Sequence, residues 1–225
     1  MFFYIIKIRM ASDSKQNMDA DSAPLPEILK WKKNLIIENG MISRFWKNVN
    51  FFSFYFIDLR FDPACCGPSL FISDENTTLK KNVDNGTWYT CRIANAEWNK
   101  GAHYWSMRIL DKGAGIVMIG IVPTDFNTSL AQYPGQTANS YAFYVWNGTK
   151  YGSGSATGFT TDLPKSNDVI GVLLDLEART LTYFKNGQII GTAFGEIPIQ
   201  DNIKYSPAIG LHSFGAWVSL IKTIK

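Results

Sequence analysis

Between Phe61 and Ile221 the hydrophobic residues fall in short runs, broken every few residues by Gly, Asn, Asp or Pro. In HYWSMRIL (103–110), His103, Trp105, Met107 and Ile109 share one face, with Tyr104, Ser106 and Arg108 on the other. That period of two predicts a strand buried on one side. In VIGVLLDLE (169–177), Ile170, Val172, Leu174 and Leu176 line one face, while Asp175 and Glu177 project from the other. The same reading predicts strands at SLFIS (69–73), TWYTCRI (87–93), GIVMIGIV (115–122), SYAFYVW (140–146), LTYFK (181–185), QIIGTAF (188–194) and AWVSLI (216–221). Asn186-Gly187 tolerates positive φ and predicts a tight hairpin between LTYFK and QII. Only Ala178-Arg179-Thr180 separates this hairpin from the strand before it, so a three-stranded antiparallel meander is expected. Long crossover helices are missing from the pattern, which predicts an all-β, two-sheet antiparallel sandwich rather than a parallel sheet.

Ahead of residue 61 the pattern differs, and residues 1–60 are expected to be a partly flexible extension to a domain spanning 61–225. ASDSKQNMDADSAP (11–24) is small and polar, as in a linker. Pro26 precedes EILKWKKNLI, where Ile28, Leu29, Trp31 and Leu35 predict the apolar stripe of one short helix, and Asn39-Gly40 suggests a turn. The aromatic segment 45–59 is open to two readings, a strand added to the sandwich or a sequence that packs poorly. MFFYIIKIRM (1–10) and FFSFYFIDL (51–59) are both far shorter than the ~20 apolar residues of a membrane helix. The first also lacks a preceding basic region and a small-residue cleavage site, so neither a membrane anchor nor a signal peptide is expected.

Composition sharpens this picture. A length of 225 residues suits one sizeable core with a tail, and 46% hydrophobic with 18% charged residues is the balance of a soluble globular chain. The 14% aromatic content leans toward pleated, half-buried surfaces. A net charge of +3, with its tightest cluster at Lys30, Lys32 and Lys33, is too weak a footprint for a nucleic-acid partner. Cys65, Cys66 and Cys91 form no disulfide framework and read as reduced thiols of a cytoplasmic or nuclear protein. Four Asn-x-Ser/Thr sequons begin at Asn76, Asn85, Asn127 and Asn147, and these residue types are also those that turns require.

Several segments, taken in order, resemble the SPRY domain family. FDPACCGPSLFISDENTTL (61–79) looks like the opening motif of the longer PRY–SPRY variety. Gly101-Ala-His103-Tyr104-Trp105 is similar to the family's Gly-x-His-Tyr-Trp strand, and GIVMIGIV (115–122) to its Val-Gly strand. DVIGVLLDLEARTLTYFKNGQ (168–188) resembles its most recognisable segment, and Tyr205-Ser-Pro207-Ala208-Ile-Gly-Leu211 its Tyr-Pro-Ala-Val strand. The resemblance implies a bent, concanavalin-like jelly-roll sandwich, no cofactor, and a loop-built surface for a protein or peptide partner. Ser106 departs from the pattern, since many relatives carry an acidic residue there.

The resemblance also implies where a partner would sit: the loops Lys81–Asn85, Lys112–Gly115, Asp125–Gln136 and His212–Gly215. Within them Tyr133 and Phe214 are the expected aromatic contacts, Gly115 and Gly215 would permit close backbone approach, and Lys81 could pair with an acidic side chain. Phe214-Gly215 stands where peptide-binding relatives carry an aromatic-glycine pair.

Catalytic chemistry finds little support. The two histidines, His103 and His212, fall in a strand and near a strand end, and His103 reads as a packed sheet histidine. The cysteines lack CxxC spacing, so no metal site is expected. GSGSATG (152–158) is followed by no Lys-Ser/Thr and lacks a nucleophile-elbow register, and it reads as a mobile loop between strands. Asp168, Asp175 and Glu177 read as exposed strand positions. The expectation is a non-catalytic interaction module without cofactor, serving as a recognition unit for a ubiquitin-ligase or scaffold complex. No RING-type array or ligase-recruiting box is visible in the sequence, so a ligase activity would come from another chain. The alternative is a lectin-like, carbohydrate-binding sandwich.

Overall fold

The structure, a computed structural model, describes residues 59–111 and 116–221. Among these residues the regular elements are all strands. In chain order they are β1 (Phe61–Cys66), β2 (Leu70–Ser73), β3 (Thr78–Lys81), β4 (Tyr89–Ile93), β5 (Ala102–Asp111), β6 (Val117–Pro123) and β7 (Tyr141–Tyr144). There follow β8 (Thr149–Gly152), β9 (Ser155–Gly158), β10 (Val169–Asp175), β11 (Thr180–Lys185), β12 (Gln188–Phe194), β13 (Tyr205–Leu211) and β14 (Trp217–Leu220). They form two antiparallel sheets of seven strands each, ordered β1-β4-β13-β6-β7-β8-β9 and β12-β11-β10-β5-β14-β3-β2. The expected all-β two-sheet sandwich is therefore what the chain forms.

Alternation decides which side chains enter the space between the sheets. Trp105, Met107 and Ile109 of β5 face inward with Ile170, Val172 and Leu174 of β10, and all six are essentially inaccessible to water. Opposite them, β6 contributes Val117, Ile119 and Ile121, β7 contributes Phe143, and β13 contributes Ile209 and Leu211. Each such side chain stabilises the fold by about 1.5–3 kcal/mol relative to exposure. Tyr183 of β11 spans the gap, because its buried hydroxyl donates to the Ile119 carbonyl of the other sheet at 2.8 Å.

The expected meander is present: β10 pairs with β11, and β11 with β12, all antiparallel. Asn186 and Gly187 take φ of 51° and 80°, the double left-handed turn that suits the strand twist. The turn is also tied to the start of β10. Asn186 Nδ2 donates to Asp168 Oδ1 at 2.8 Å, and Val169 N donates to Asn186 Oδ1 at 2.9 Å. Asp175, at the far end, accepts from Glu177 N and Ala178 N and caps the turn into β11. These two carboxylates therefore have structural partners rather than free faces.

One expectation needs correction. GSGSATG is not a mobile loop: Ser155–Gly158 form β9, the outermost strand of its sheet, paired with β8. Its small, exposed residues carry no hydrophobic signal, and the main-chain ladder makes it a strand. β1, β3 and β8 were also hidden, since Asp62-Pro63, Lys80-Lys81 and Thr149-Lys150 interrupt their apolar pattern. The sequon asparagines do lie at turns. Asn76 has φ of 66°, and the side chains of Asn85, Asn127 and Asn147 accept from the backbone N–H two residues on. The helix expected at residues 27–36 and the alternatives for 45–58 fall outside the described residues.

Candidate partner-binding surface

Residues that alternate away from the core on β4, β6, β7, β8 and β13 make the outer face of the first sheet. Its centre is built on small groups. Gly210 of β13 has no side chain, and a Cβ there would stand 2.8 Å from Pro134 Cδ and 3.3 Å from Met118 Cβ. The bare backbone lets the β6–β7 connection fold down onto the sheet. Thr90 Oγ1 of β4 donates to Gln132 O at 2.8 Å, and buried Ser140 Oγ accepts from Gly135 N and Thr137 N. Gly135, at φ 94°, packs against Tyr151, where a Cβ would come within 2.6 Å of Tyr151 Cβ.

This folding brings aromatic rings from four segments together. Trp88, just before β4, lies 5.1 Å from Tyr133 of the β6–β7 loop and 6.0 Å from Tyr144 of β7, ring centre to ring centre. Tyr151 of β8 closes the set, at 5.6 Å from Tyr133 and 6.0 Å from Tyr144. His212, beyond β13, packs on Trp88 at 5.2 Å. All five are half-buried. Burial and the neighbouring Tyr151 hydroxyl push the Tyr133 and Tyr144 phenols above their ordinary range. Three loops thus converge on Trp88: 82–88, 124–140 and 212–216.

Of the residues singled out from sequence, Tyr133 is in this cluster. Phe214 lies in the turn between β13 and β14, two residues beyond His212, with 58% of its surface exposed. Gly215 follows it at φ 81° with open space where a Cβ would be, and its N–H donates to Lys81 O at 3.1 Å. Gly115 falls outside the described residues.

Lys81 does not stand where it was expected. It is the last residue of β3 and is completely buried. Its ammonium donates to Thr87 O at 2.8 Å and lies 4.8 Å from the centre of the Tyr89 ring. Burial lowers its pKa. The side chain is a post beneath the 82–88 loop, and its charge is already used by a carbonyl and a ring face. Lys81→Met, which keeps the stem and removes the charge, is expected to change stability by less than about 1 kcal/mol. Lys81→Ala, which removes the stem as well, should cost about 2 kcal/mol or more in urea unfolding.

Sequence reasoning missed Trp88, Tyr144 and Tyr151 as surface residues. A signal existed in SYAFYVW, where Tyr141, Phe143 and Val145 take the inner face and leave Tyr144 and Trp146 on the side where polar residues belong. His103 reads correctly as a sheet histidine. Its ring stacks on Trp98 at 4.1 Å, Nε2 is 2.8 Å from Lys100 O, and burial lowers its pKa against the opposing effect of that bond. Among the described residues no three His, Cys, Asp or Glu side chains group to hold a metal. The three cysteines are free, with Cys66 and Cys91 cross-strand partners on β1 and β4.

A family model described as SPRY domain matches residues 102–222, just over half of the chain. The chain belongs to the SPRY domain family. It is 32% identical over 121 residues to the Ran-binding proteins 9/10 homolog of Drosophila melanogaster, and 33% identical over 121 residues to Ran-binding protein 9 of Xenopus tropicalis. Those matches cover 51% of this chain but only 11% and 20% of the two relatives. Among solved structures, the SPRY domain of human HERC1 superposes with a TM-score of 0.60 at 20% identity, covering 73% of this chain and 99% of that domain. The TRIM65 PSpry domain gives 0.57 at 18% identity, covering 72% and 88%. At these identities the likeness is one of fold, and it extends the SPRY sandwich upstream of the matched segment. SPRY domains are protein-interaction modules rather than a catalytic family, and that class of function comes with the membership.

Proposed function

We propose that this SPRY domain binds a peptide segment of a partner protein across the outer face of its first sheet, between the 82–88, 124–140 and 212–216 loops. The observation that carries this reading is the convergence of the three loops on Trp88, with exposed Phe214 two residues beyond His212, which packs on Trp88. Large aromatic groups held by a rigid sheet lose little conformational freedom on contact, which is why they dominate interface energetics. The loops supply exposed Asp84, Asp125 and Gln136 around that apolar centre, the arrangement of a polar rim.

In both relatives the matched region is a small part of a much longer protein. That supports a recognition unit working within a larger assembly, such as a ubiquitin-ligase or scaffold complex. The names of those relatives denote Ran binding, and the short matched share gives no ground for carrying that partner over. The free thiols, including the neighbouring Cys66 and Cys91, support residence in the reducing cytoplasm or nucleus.

Selection of a random displayed-peptide library on the full chain tests the site. Peptides that bind should weaken about tenfold or more with Trp88→Ala and with Phe214→Ser, the second change leaving the core untouched. Selected peptides that hold their affinity against both variants would move the site elsewhere. Saturable glycan binding unaffected by Phe214→Ser, with no peptide selected, would favour the carbohydrate-binding alternative.

A further inference from the structure

The rings on the outer face are arranged as a cycle rather than a stack. Trp88 touches Tyr133 and Tyr144, and Tyr151 touches the same two, with neighbouring centres 5.1 to 6.0 Å apart. Adjacent rings are turned 51° to 87° from one another, as the walls of a box are. Neither diagonal pair, Trp88 with Tyr151 or Tyr133 with Tyr144, is among the ring contacts of the described residues, so each ring has two neighbours in the cycle, and buried Pro134 packs on Gly210 between Trp88 and Met118. Buried Met118 lies beneath, on β6, next to Tyr144 and Gly210 in the strand register.

The charges carried by the three loops themselves share one sign, while Arg92, at the base of the 124–140 loop, is held by Thr124 O and paired with Glu97. Within 82–88, 124–140 and 212–216 the formal charges are Asp84 and Asp125, both exposed, and His212 is the one further titratable side chain besides Tyr133. The basic residue nearest in sequence, Lys81, is buried on Thr87 O and Tyr89, while Lys150 turns to the other face and donates to Ala193 O. Burial, and then the neighbouring phenols, raise the pKa of Tyr133 and Tyr144, and none of the Tyr133, Tyr144 and Tyr151 hydroxyls has a hydrogen-bond partner among the described residues. Aromatic faces attract cations within about 6 Å of the ring centre, and phenol oxygens accept N–H bonds.

We propose that the ring of Trp88, Tyr133, Tyr151 and Tyr144 is a receptor for one positively charged side-chain end, lysine or arginine, of the bound partner. This rests on the partner-binding reading above and adds the chemistry it selects. A cation held against these rings would have π-faces and phenol oxygens as its partners. A neutral aliphatic group of the same length would leave those hydroxyls without partners.

The test uses N-acetyl-lysine methylamide, N-acetyl-arginine methylamide and their neutral analogue N-acetyl-norleucine methylamide, titrated into the full chain. The readout is the Trp88 indole N–H resonance, assigned with Trp88→Phe. At least one cationic probe is expected to shift it saturably and about tenfold more tightly than norleucine, and to lose about tenfold in affinity with Tyr144→Leu. Equal binding of norleucine and both cations overturns the proposal, and so does cation binding that persists undiminished in a folded Tyr144→Leu protein. Selected peptides that need Trp88 yet contain no basic residue would overturn it too, while leaving the partner-binding reading intact.

Discussion

Gly120→Ala is expected to cost about 4 kcal/mol or more of folding stability, a large part of what a domain has. Gly120 sits inside β6, flanked by Ala208 of β13 and Ala142 of β7. A Cβ at this position would overlap the Tyr141 carbonyl oxygen and lie 2.6 Å from Ala142 Cα. Both obstacles are backbone atoms of a paired strand, so no rotamer change relieves them. Accommodating one methyl group means parting β6 from β7, and with it the platform that carries Tyr144. Gly158→Ala is the matched control: it lies on the exposed outer strand β9 with nothing within 4 Å, and should stay within about 0.5 kcal/mol of the parent. Urea unfolding followed by tryptophan fluorescence compares the two. A Gly120→Ala protein as stable as the control would mean that the strand spacing is softer than the geometry requires.

The second large effect centres on Tyr183, whose ring and hydroxyl connect the two sheets. Tyr183→Ala should destabilise by about 3–5 kcal/mol, since it empties a ring-sized volume against Phe143 and Phe159. Tyr183→Phe keeps the ring and isolates the bond to Ile119 O, at a cost of about 1–3 kcal/mol. The same tyrosine predicts a pH dependence. Burial raises the phenol pKa of Tyr183 and of Tyr205, and pushes that of Tyr104 up to about 12. An unfolded tyrosine loses its proton near pH 10, so above that pH the unfolded chain holds fewer protons than the folded one. Stability is therefore complete below about pH 10 and falls as pH rises from there toward the raised folded values. Urea midpoints measured from pH 8 to 11.5 should decline above pH 10, and less steeply in Tyr183→Phe. A flat profile in the parent would mean that these phenols ionise in the folded state without penalty.

The scaffold was legible because its information is local and repeated. Strict alternation in 103–110 and 169–177, and Asn-Gly at 186–187, each fix a strand face or a turn without reference to the rest of the chain. Strands such as β9 were not legible, since a neighbour's main chain holds them and their own side chains contribute nothing. The site was harder for a different reason. Tyr133 and Phe214 could be placed in loops, but Trp88 looked like one more strand aromatic, and its role depends on Gly210, Pro134 and Thr90 arriving from distant parts of the sequence. Lys81 misled because charge suggests exposure, whereas here a carbonyl and a ring face substitute for water.

The order of the strands also bears on how the protein comes into being. β13 lies between β4 and β6 in one sheet, and β14 between β5 and β3 in the other, so the last two strands occupy interior positions in both. Until residues 205–220 have left the ribosome, each sheet is split at that position, with unpaired edges facing the gap. The nascent chain can close the β10–β12 meander early, but neither layer becomes continuous before synthesis of this region is finished. Completion of the fold is thus a late, concerted event, and up to that moment the open edges need protection from other growing chains.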